Sequence, residues 1–222
     1  MLVWLHSFEA LIAGLFLLVA IGIVAIRQMQ ALLRLFVIQS LLLASGATLI
    51  SLATGSPHLL GVAAVTVIAK VAMVPWLLRR TVRRELYGRR EVVQVLNVPS
   101  ALLIAAALSL LAYLVAGPLI EAAPVPFVRT QLPIGIAGIL LGGYTVTVRR
   151  EALAQLVGLL ALENGVFFAA LAIAPDLSVL AELAAAFDVV VVTLVVGLLT
   201  RRIHERVGDT SVGVLAALRE SD

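Results

Sequence analysis

The chain has 222 residues and contains no cysteine. This absence excludes disulfide bonds, iron–sulfur clusters and thiolate metal sites within the chain. The three histidines, His6, His58 and His204, are far apart in the sequence and form no ligand cluster of the kind that a metal site needs. We therefore expect the chain to bind neither a metal ion nor a redox cofactor by itself.

Charge is also scarce, because charged residues make up 13% of the chain while hydrophobic residues make up 62%. An ordinary soluble domain carries about 25% charged residues. Apolar segments of about 20 residues indicate membrane-spanning helices, since only helices and closed barrels satisfy their backbone groups in lipid. The sequence therefore predicts an all-α polytopic membrane protein without a separate soluble domain.

Basic residues set the predicted topology. If the N-terminus lies outside, fourteen arginines fall in inner segments, Arg129 alone falls outside, and Lys70 falls within a span. The positive-inside rule therefore places the N-terminus out and the C-terminus in. The arginines lie at helix ends instead of in one patch, so we predict no nucleic-acid partner. The seven predicted transmembrane helices are at about residues 8–26, 31–53, 58–78, 99–117, 131–148, 151–174 and 177–200.

The longest inner loop, residues 79–97, holds six arginines and two glutamates. It is predicted to anchor the topology and to contact anionic lipid headgroups, with docking of a cytoplasmic partner as the alternative. Because the chain has no native cysteine, a single cysteine at Arg89 tests this prediction. We expect a membrane-impermeant thiol reagent to label it only from the inner side of the membrane. Labelling from the outer side would reverse the predicted orientation.

The last two predicted spans each carry one carboxylate near the middle, Glu163 and Asp188. A charge at the bilayer centre costs about 2.5–3.5 kcal/mol on insertion scales, so such residues face protein or water and are functional candidates. We predict that this pair exchanges protons and titrates as a coupled unit. Lys70, the only lysine, lies near the middle of the third span, five residues before Pro75. We expect it to take part in proton transfer beside a polar or acidic group, with snorkelling to the interface as the alternative.

Three further polar residues support this interpretation. Gln39 in the second span either lines a hydrated path or forms hydrogen bonds between helices. Asn164 directly follows Glu163 and can hydrogen-bond a neighbouring helix. Glu182 lies nearer the outer end of the seventh span, as an outer-mouth residue or an interfacial one.

Small residues mark two predicted packing faces. Gly135, Gly138 and Gly142 share one face of the fifth span, and the last two have GxxxG spacing. A second face follows the sixth span at spacings of three and four residues, roughly opposite Glu163 at about 100° per residue. Its members are Ala154, Gly158, Ala161, Gly165, Ala169 and Ala172.

The acidic positions also carry a family resemblance. From residue 131 to about 220, the chain resembles the small K subunit of respiratory complex I, with Ala161-Leu162-Glu163 and Ala184-Ala185-Ala186-Phe187-Asp188 at the two acidic positions. Arg201-Arg202 and the polar tail with Asp209-Thr210 fit the C-terminus of that subunit. The second acid is Asp here, and the interval from Glu163 to Asp188 is shorter. Four additional N-terminal spans and the run at residues 162–168 resemble component E of hydrogenase-4 and formate hydrogenlyases more specifically.

This resemblance implies a two-part chain. A four-helix membrane region at residues 1–130 would carry the basic loop, and residues 131–222 would form the K-subunit-like three-helix region. The resemblance also implies a non-catalytic proton-translocating subunit of an energy-converting [NiFe]-hydrogenase-like complex in a bacterial or archaeal cytoplasmic membrane. Its partners would be antiporter-like and hydrogenase-like membrane subunits. The alternatives are a subunit of a multi-subunit cation/proton antiporter, an independent transporter, and a structural scaffold of the membrane arm.

Overall fold

The computed structural model describes residues 2–81, 97–122 and 126–173, together with positions 191, 192 and 195. Within this part of the chain, every element is a helix. Six of the described stretches are long and apolar enough to cross a membrane, which confirms the all-α polytopic class. The seventh span and the orientation stay predictions. The helices are α1 (Leu2–Ala25), α2 (Met29–Thr54), α3 (His58–Thr66), a π-helix (Val67–Met73), α4 (Val74–Thr81), α5 (Val98–Ala122), α6 (Pro126–Val148) and α7 (Ala152–Ile173).

Helices α6 and α7 form the most extensive contact in the described structure, as an antiparallel hairpin. A Cβ atom added at Gly142 would lie 2.5 Å from the backbone of Leu162, and one added at Gly165 would lie 2.5 Å from the backbone nitrogen of Ile139. The two backbones approach too closely for any side chain at these points. The predicted glycine face of the fifth span and the small-residue face of the sixth are therefore confirmed as packing faces.

Helices α1 and α2 pack against each other and complete the core against this hairpin. Phe16 of α1 stacks on Phe168 of α7 with ring centroids 4.3 Å apart, and both rings are fully buried. Phe36 of α2 lies in a second buried cluster together with Leu160 of α7. Helix α5 packs on α1 and α6 through small residues, and α3 packs on α2. The buried small residues of α5 are Ala101, Ala105, Ala112 and Ala116.

Two predicted boundaries are wrong. The fourth span was expected to stop at Gly117-Pro118, but α5 continues through Pro118 to Ala122. The fifth was expected to begin at Gln131, but α6 begins at Pro126 and contains Pro133. A proline inside a helix removes one hydrogen bond and crowds one carbonyl. In an apolar environment, ending the helix would leave more backbone groups without a hydrogen-bond partner than the proline does, so the helices continue.

The turn between α2 and α3 has the sequence Thr54-Gly55-Ser56-Pro57. Gly55 has φ = 71°, a left-handed conformation in which its N–H donates to the carbonyl of Ser51. A glycine adopts this conformation at the end of a helix without steric cost. The hydroxyl of Ser51 donates to the carbonyl of Ser56 over 2.8 Å, which fixes the turn.

The third span is not a regular α-helix, because a π-helix occupies Val67–Met73 at its centre. Pro75 has no N–H to donate to the carbonyl of Val71, and its ring would crowd that carbonyl in a regular α-helix. The backbone widens in the turn before the proline, where the N–H of Val74 donates to the carbonyl of Ala69, five residues back. A π-helical turn of this kind frequently marks a functional position, and here it contains Lys70.

The end of α1 is held by a residue from another helix. Arg149, only 1% exposed, donates from Nη2 to the carbonyls of Ile23 and Val24 over 3.1 Å each and to the carbonyl of Ile26. The last carbonyls of a helix have no partner within the helix, so this guanidinium caps α1. Because α1 and α6 end together, they run parallel. Burial lowers the pKa of the Arg149 guanidinium from its ordinary value, and the nearby Glu151 opposes this shift.

Candidate functional site

The site is built around an ion pair in the interior of the helical bundle. Nζ of Lys70 lies 3.5 Å from Oε2 of Glu163, with side-chain exposures of 3% and 17%. Lys70 comes from the π-helix and Glu163 from the middle of α7. Lys70 therefore faces protein beside an acid, as its position near the middle of the third span predicted. Snorkelling to the interface, the alternative, does not occur.

An aromatic ring of α7 also contacts Lys70. Its ammonium lies 5.0 Å from the centroid of the Phe167 ring, in a cation–π contact. Phe167 lies four residues after Glu163, on the same face of α7, so acid and aromatic ring meet the ammonium together. A cation–π contact contributes more when the cation is desolvated. Helix α7 thus supplies two groups that stabilise the charged form of Lys70.

A second polar contact joins α7 to α2. Nδ2 of Asn164 donates to Oγ of Ser40 over 3.0 Å and to Oε1 of Gln39 over 3.4 Å. All three side chains are fully buried. Ser40 in turn donates to the carbonyl of Phe36, one turn earlier in α2. Glu163 and Asn164 are consecutive, so one turn of α7 contacts the π-helix through the acid and α2 through the amide.

We call these five residues, Gln39, Ser40, Lys70, Glu163 and Asn164, the polar cluster. Buried polar groups need partners, and both contacts lie in a medium where electrostatic interactions are strong. Glu163 and Lys70 can each gain or lose a proton, and the Ser40 hydroxyl can accept one hydrogen bond while donating another. The amides of Gln39 and Asn164 orient their neighbours. The cluster therefore places two titratable groups beside three hydrogen-bonding side chains in the interior of the bundle.

The predicted site residues of the seventh span, Asp188 and Glu182, lie outside the described residues. The described residue Val192, four residues after Asp188 in the sequence, is fully buried and belongs to the same core cluster as Val74 and Leu160. Within the described ranges, no group of three or more His, Asp or Glu side chains could hold a metal ion.

Sequence reasoning missed several buried polar residues. In the sequence, Arg149 belongs to an Arg-Arg pair that is typical of the inner end of a membrane span. Nothing in the sequence distinguishes an arginine that caps a helix from one that lies at the membrane interface. Glu9 is only 2% exposed and Gln131 is fully buried, although both seemed to lie at span ends. A signal for Glu9 did exist, because it shares a helical face with Ala13, Phe16 and Ala20.

The fold and the polar cluster together define a polytopic helical membrane protein with a buried ion pair between two of its spans. The chain belongs to the family of the uncharacterized protein Rv0085 of Mycobacterium tuberculosis, to which it is 30% identical over 208 residues, or 94% of each chain. It is also 26% identical over 215 residues to hydrogenase-4 component E of Escherichia coli and of Shigella flexneri, covering 94% of this chain and 95% of each relative. No family model and no solved structure matches the chain.

These relatives confirm part of the resemblance seen in the sequence. The similarity to hydrogenase-4 component E is distant, but it extends over nearly the whole length of both proteins. The resemblance of residues 131–222 to the K subunit of complex I is not confirmed by these comparisons and stays a prediction, as does the division at residue 130.

Proposed function

We propose that this chain is a membrane subunit of a multi-subunit hydrogenase-type complex and that its polar cluster takes part in proton translocation. The observation that carries this proposal is the buried Lys70–Glu163 ion pair on a π-helical turn. The similarity to hydrogenase-4 component E supports the kind of complex. Electron transfer would occur in other subunits of the complex, with this chain as a non-catalytic member.

The ion pair suits proton transfer because the protonation of one partner changes the electrostatic cost of the charge on the other. When Glu163 is ionised, it neutralises Lys70 at 3.5 Å. A proton that binds Glu163 leaves Lys70 without that counter-charge, which is costly in an apolar interior. Loading of Glu163 therefore favours release of another proton from the coupled groups. Ion pairs of this kind titrate as a unit.

Asp188 is the proposed second acid. In the predicted seventh helix it precedes Val192 by four residues, or about 6 Å along the axis at 1.5 Å per residue. Val192 shares a core cluster with Val74 and Leu160. Val74 lies four residues after Lys70, and Leu160 lies three residues before Glu163. This neighbourhood supports a position of Asp188 close to the ion pair. Glu182, further toward the outer end, is the proposed outer-mouth residue.

The test is proton uptake into inverted membrane vesicles, driven by the assembled complex, with subunit content measured in parallel. Glu163→Gln preserves shape but removes the ionisable group and leaves Lys70 without this counter-charge, so we expect a several-fold loss of coupled proton uptake per assembled complex. Asp188→Asn is expected to act in the same way, while Glu163→Asp retains part of the uptake. Glu121→Gln, which changes an exposed glutamate of α5, is the matched control.

Wild-type uptake by both Glu163→Gln and Asp188→Asn, at normal subunit content, would contradict a proton-transfer role. It would favour a scaffold of the membrane arm, for which the close packing of α6 on α7 is the supporting observation. Proton-coupled cation exchange without any hydrogenase-type partner would instead favour the antiporter alternative.

A further inference from the structure

Arg149 caps α1 through Nη2 alone, which donates to the last carbonyls of that helix. Its other two nitrogens, Nε and Nη1, are buried and have no hydrogen-bond partner in the part of the chain that the structure describes. The side chain is only 1% exposed. Donors of a charged group that are buried without an acceptor carry a large desolvation cost. These two nitrogens therefore indicate an acceptor that the capped helix does not supply.

Two neighbouring side chains also have donors without an acceptor. Arg27 directly follows Ile26, one of the residues whose carbonyl Arg149 caps, and its buried Nε has no partner among the described residues. The hydroxyl of Tyr144, near the end of α6, is likewise buried without a partner in the described ranges. Both residues interact electrostatically with Arg149. We call Arg27, Tyr144 and Arg149 the arginine cluster.

Positive charge predominates at this end of the bundle. Among the described residues just after α1 and α6 and in the first turns of α2, Arg27, Arg34, Arg149 and Arg150 stand against Glu151. Burial lowers the pKa of the Arg149 guanidinium, Glu151 opposes this shift, and the charge of Arg27 adds to it. Repulsion between two guanidinium groups falls when an anion lies beside them. Because every unpartnered group of the cluster can donate a hydrogen bond, the ligand that fits is an anion with several oxygen atoms.

The arginine cluster reaches the protein surface at the level of the lipid headgroups. Arg27 and Tyr144 are half-buried, so part of each side chain is accessible. Helices α1 and α6 end together at Ala25 and Val148, which places the cluster at the ends of two membrane spans. These are the predicted inner ends, and basic pockets between helices on that side suit anionic lipid headgroups. Guanidinium groups bind phosphate through charge-assisted hydrogen bonds.

We propose that the arginine cluster binds a phosphate group, supplied by the headgroup of an anionic lipid at the predicted inner membrane surface. Arg27 and Tyr144 donate to the phosphate oxygens from the accessible side, and Arg149 adds its positive charge beneath them. A free phosphate ion offers the same chemistry, but a lipid is held at this level by its acyl chains. The bound phosphate links the end of α1 to α6. The site uses none of the arginines of the basic loop at residues 79–97.

Native mass spectrometry of the purified full chain, released from nanodiscs of phosphatidylglycerol and phosphatidylcholine, tests the proposal. We expect the wild type to retain phosphatidylglycerol preferentially, because the choline of phosphatidylcholine repels the arginines. Arg27→Gln removes the accessible guanidinium and should lower this retention by about five- to tenfold. Tyr144→Phe removes one hydroxyl from an intact ring and should lower it less. Arg149 stays unchanged, since its substitution would also remove the cap on α1.

Arg150→Gln is the matched control, because Arg150 adjoins Arg149 in the sequence but its side chain is exposed. Arg89→Gln is the control for the basic loop. Both controls should retain the lipid as the wild type does, and thermal unfolding in lipid-free detergent verifies the fold of each variant. If Arg150→Gln lowers retention as much as Arg27→Gln, the binding is a general effect of surface charge and the proposal is wrong. Equal retention of the two lipids by the wild type would contradict it as well.

Inorganic phosphate in excess separates the two sources of the phosphate group, and we expect it to displace little of the lipid. If it displaces the lipid from the wild type and binds the lipid-free chain through Arg27, the site takes free phosphate and the lipid assignment is wrong. If the chain binds neither, but Arg27→Gln lowers the subunit content of the assembled complex, the acceptor is an acidic side chain of a partner and the proposal fails. None of these results depends on proton uptake, so the proposed function is tested separately.

Discussion

Replacing Lys70 by Leu should destabilise the protein by about 3–5 kcal/mol, because it leaves Glu163 as a buried charge without this partner. The ammonium is 3.5 Å from the carboxylate and the lysine side chain is 3% exposed, so little water could replace it. The free energy of unfolding of the full chain in mixed detergent micelles measures the loss.

The double variant Lys70→Leu with Glu163→Leu distinguishes the cost of an unpaired buried charge from the cost of lost side-chain packing. Removing both partners of a buried ion pair is often nearly neutral. We therefore expect the double variant to be more stable than Lys70→Leu alone. Arg129→Leu, which removes an exposed basic residue, is the control and should change stability little. Strictly additive losses in the double variant would show that the ion pair contributes no coupling energy.

The second large effect is expected at the α6–α7 contact. Gly165→Ala places a methyl group 2.5 Å from the backbone nitrogen of Ile139 and 2.6 Å from the carbonyl carbon of Gly138. Neither is a side chain that can rotate away, so the two helices must separate. Overpacking of this kind costs about 1–3 kcal/mol and sometimes more. The same micelle unfolding assay, together with the amount of the chain in membranes, measures it.

Gly61 of α3 provides the matched control, since nothing lies within 4 Å of an added Cβ at this position. Gly61→Ala should leave stability unchanged or raise it by up to about 1 kcal/mol through helix propensity. If Gly165→Ala were as stable as Gly61→Ala, the close approach of α6 and α7 would be wrong.

Much of the fold was predictable because the bilayer simplifies the physical problem. Long apolar segments must be helices, and the small residues of the fifth and sixth spans have no other use in lipid than close packing. Lys70 and Glu163 were each identified by the cost of a charge at that depth. Their direct contact was not predicted, since depth gives a residue's level in the membrane but not which helices are neighbours.

Other features could not be predicted from the sequence, for local physical reasons. A proline normally ends a helix in water, where the released carbonyls are hydrated, but Pro118 does not end α5. A proline such as Pro75 distorts a helix, yet the sequence does not specify a π-turn among the possible distortions. Gln131 resembles an ordinary interfacial residue until the start of α6 at Pro126 places it inside the span.

The cap that Arg149 places on α1 also constrains biogenesis. The carbonyls of Ile23, Val24 and Ile26 receive their hydrogen bonds from a residue synthesised 123 to 126 positions later. During translation the first helix therefore enters the membrane with an unfinished end, which stays hydrated at the surface until α6 arrives. Insertion of α6 completes α1, so the order of synthesis and the order of structural completion differ.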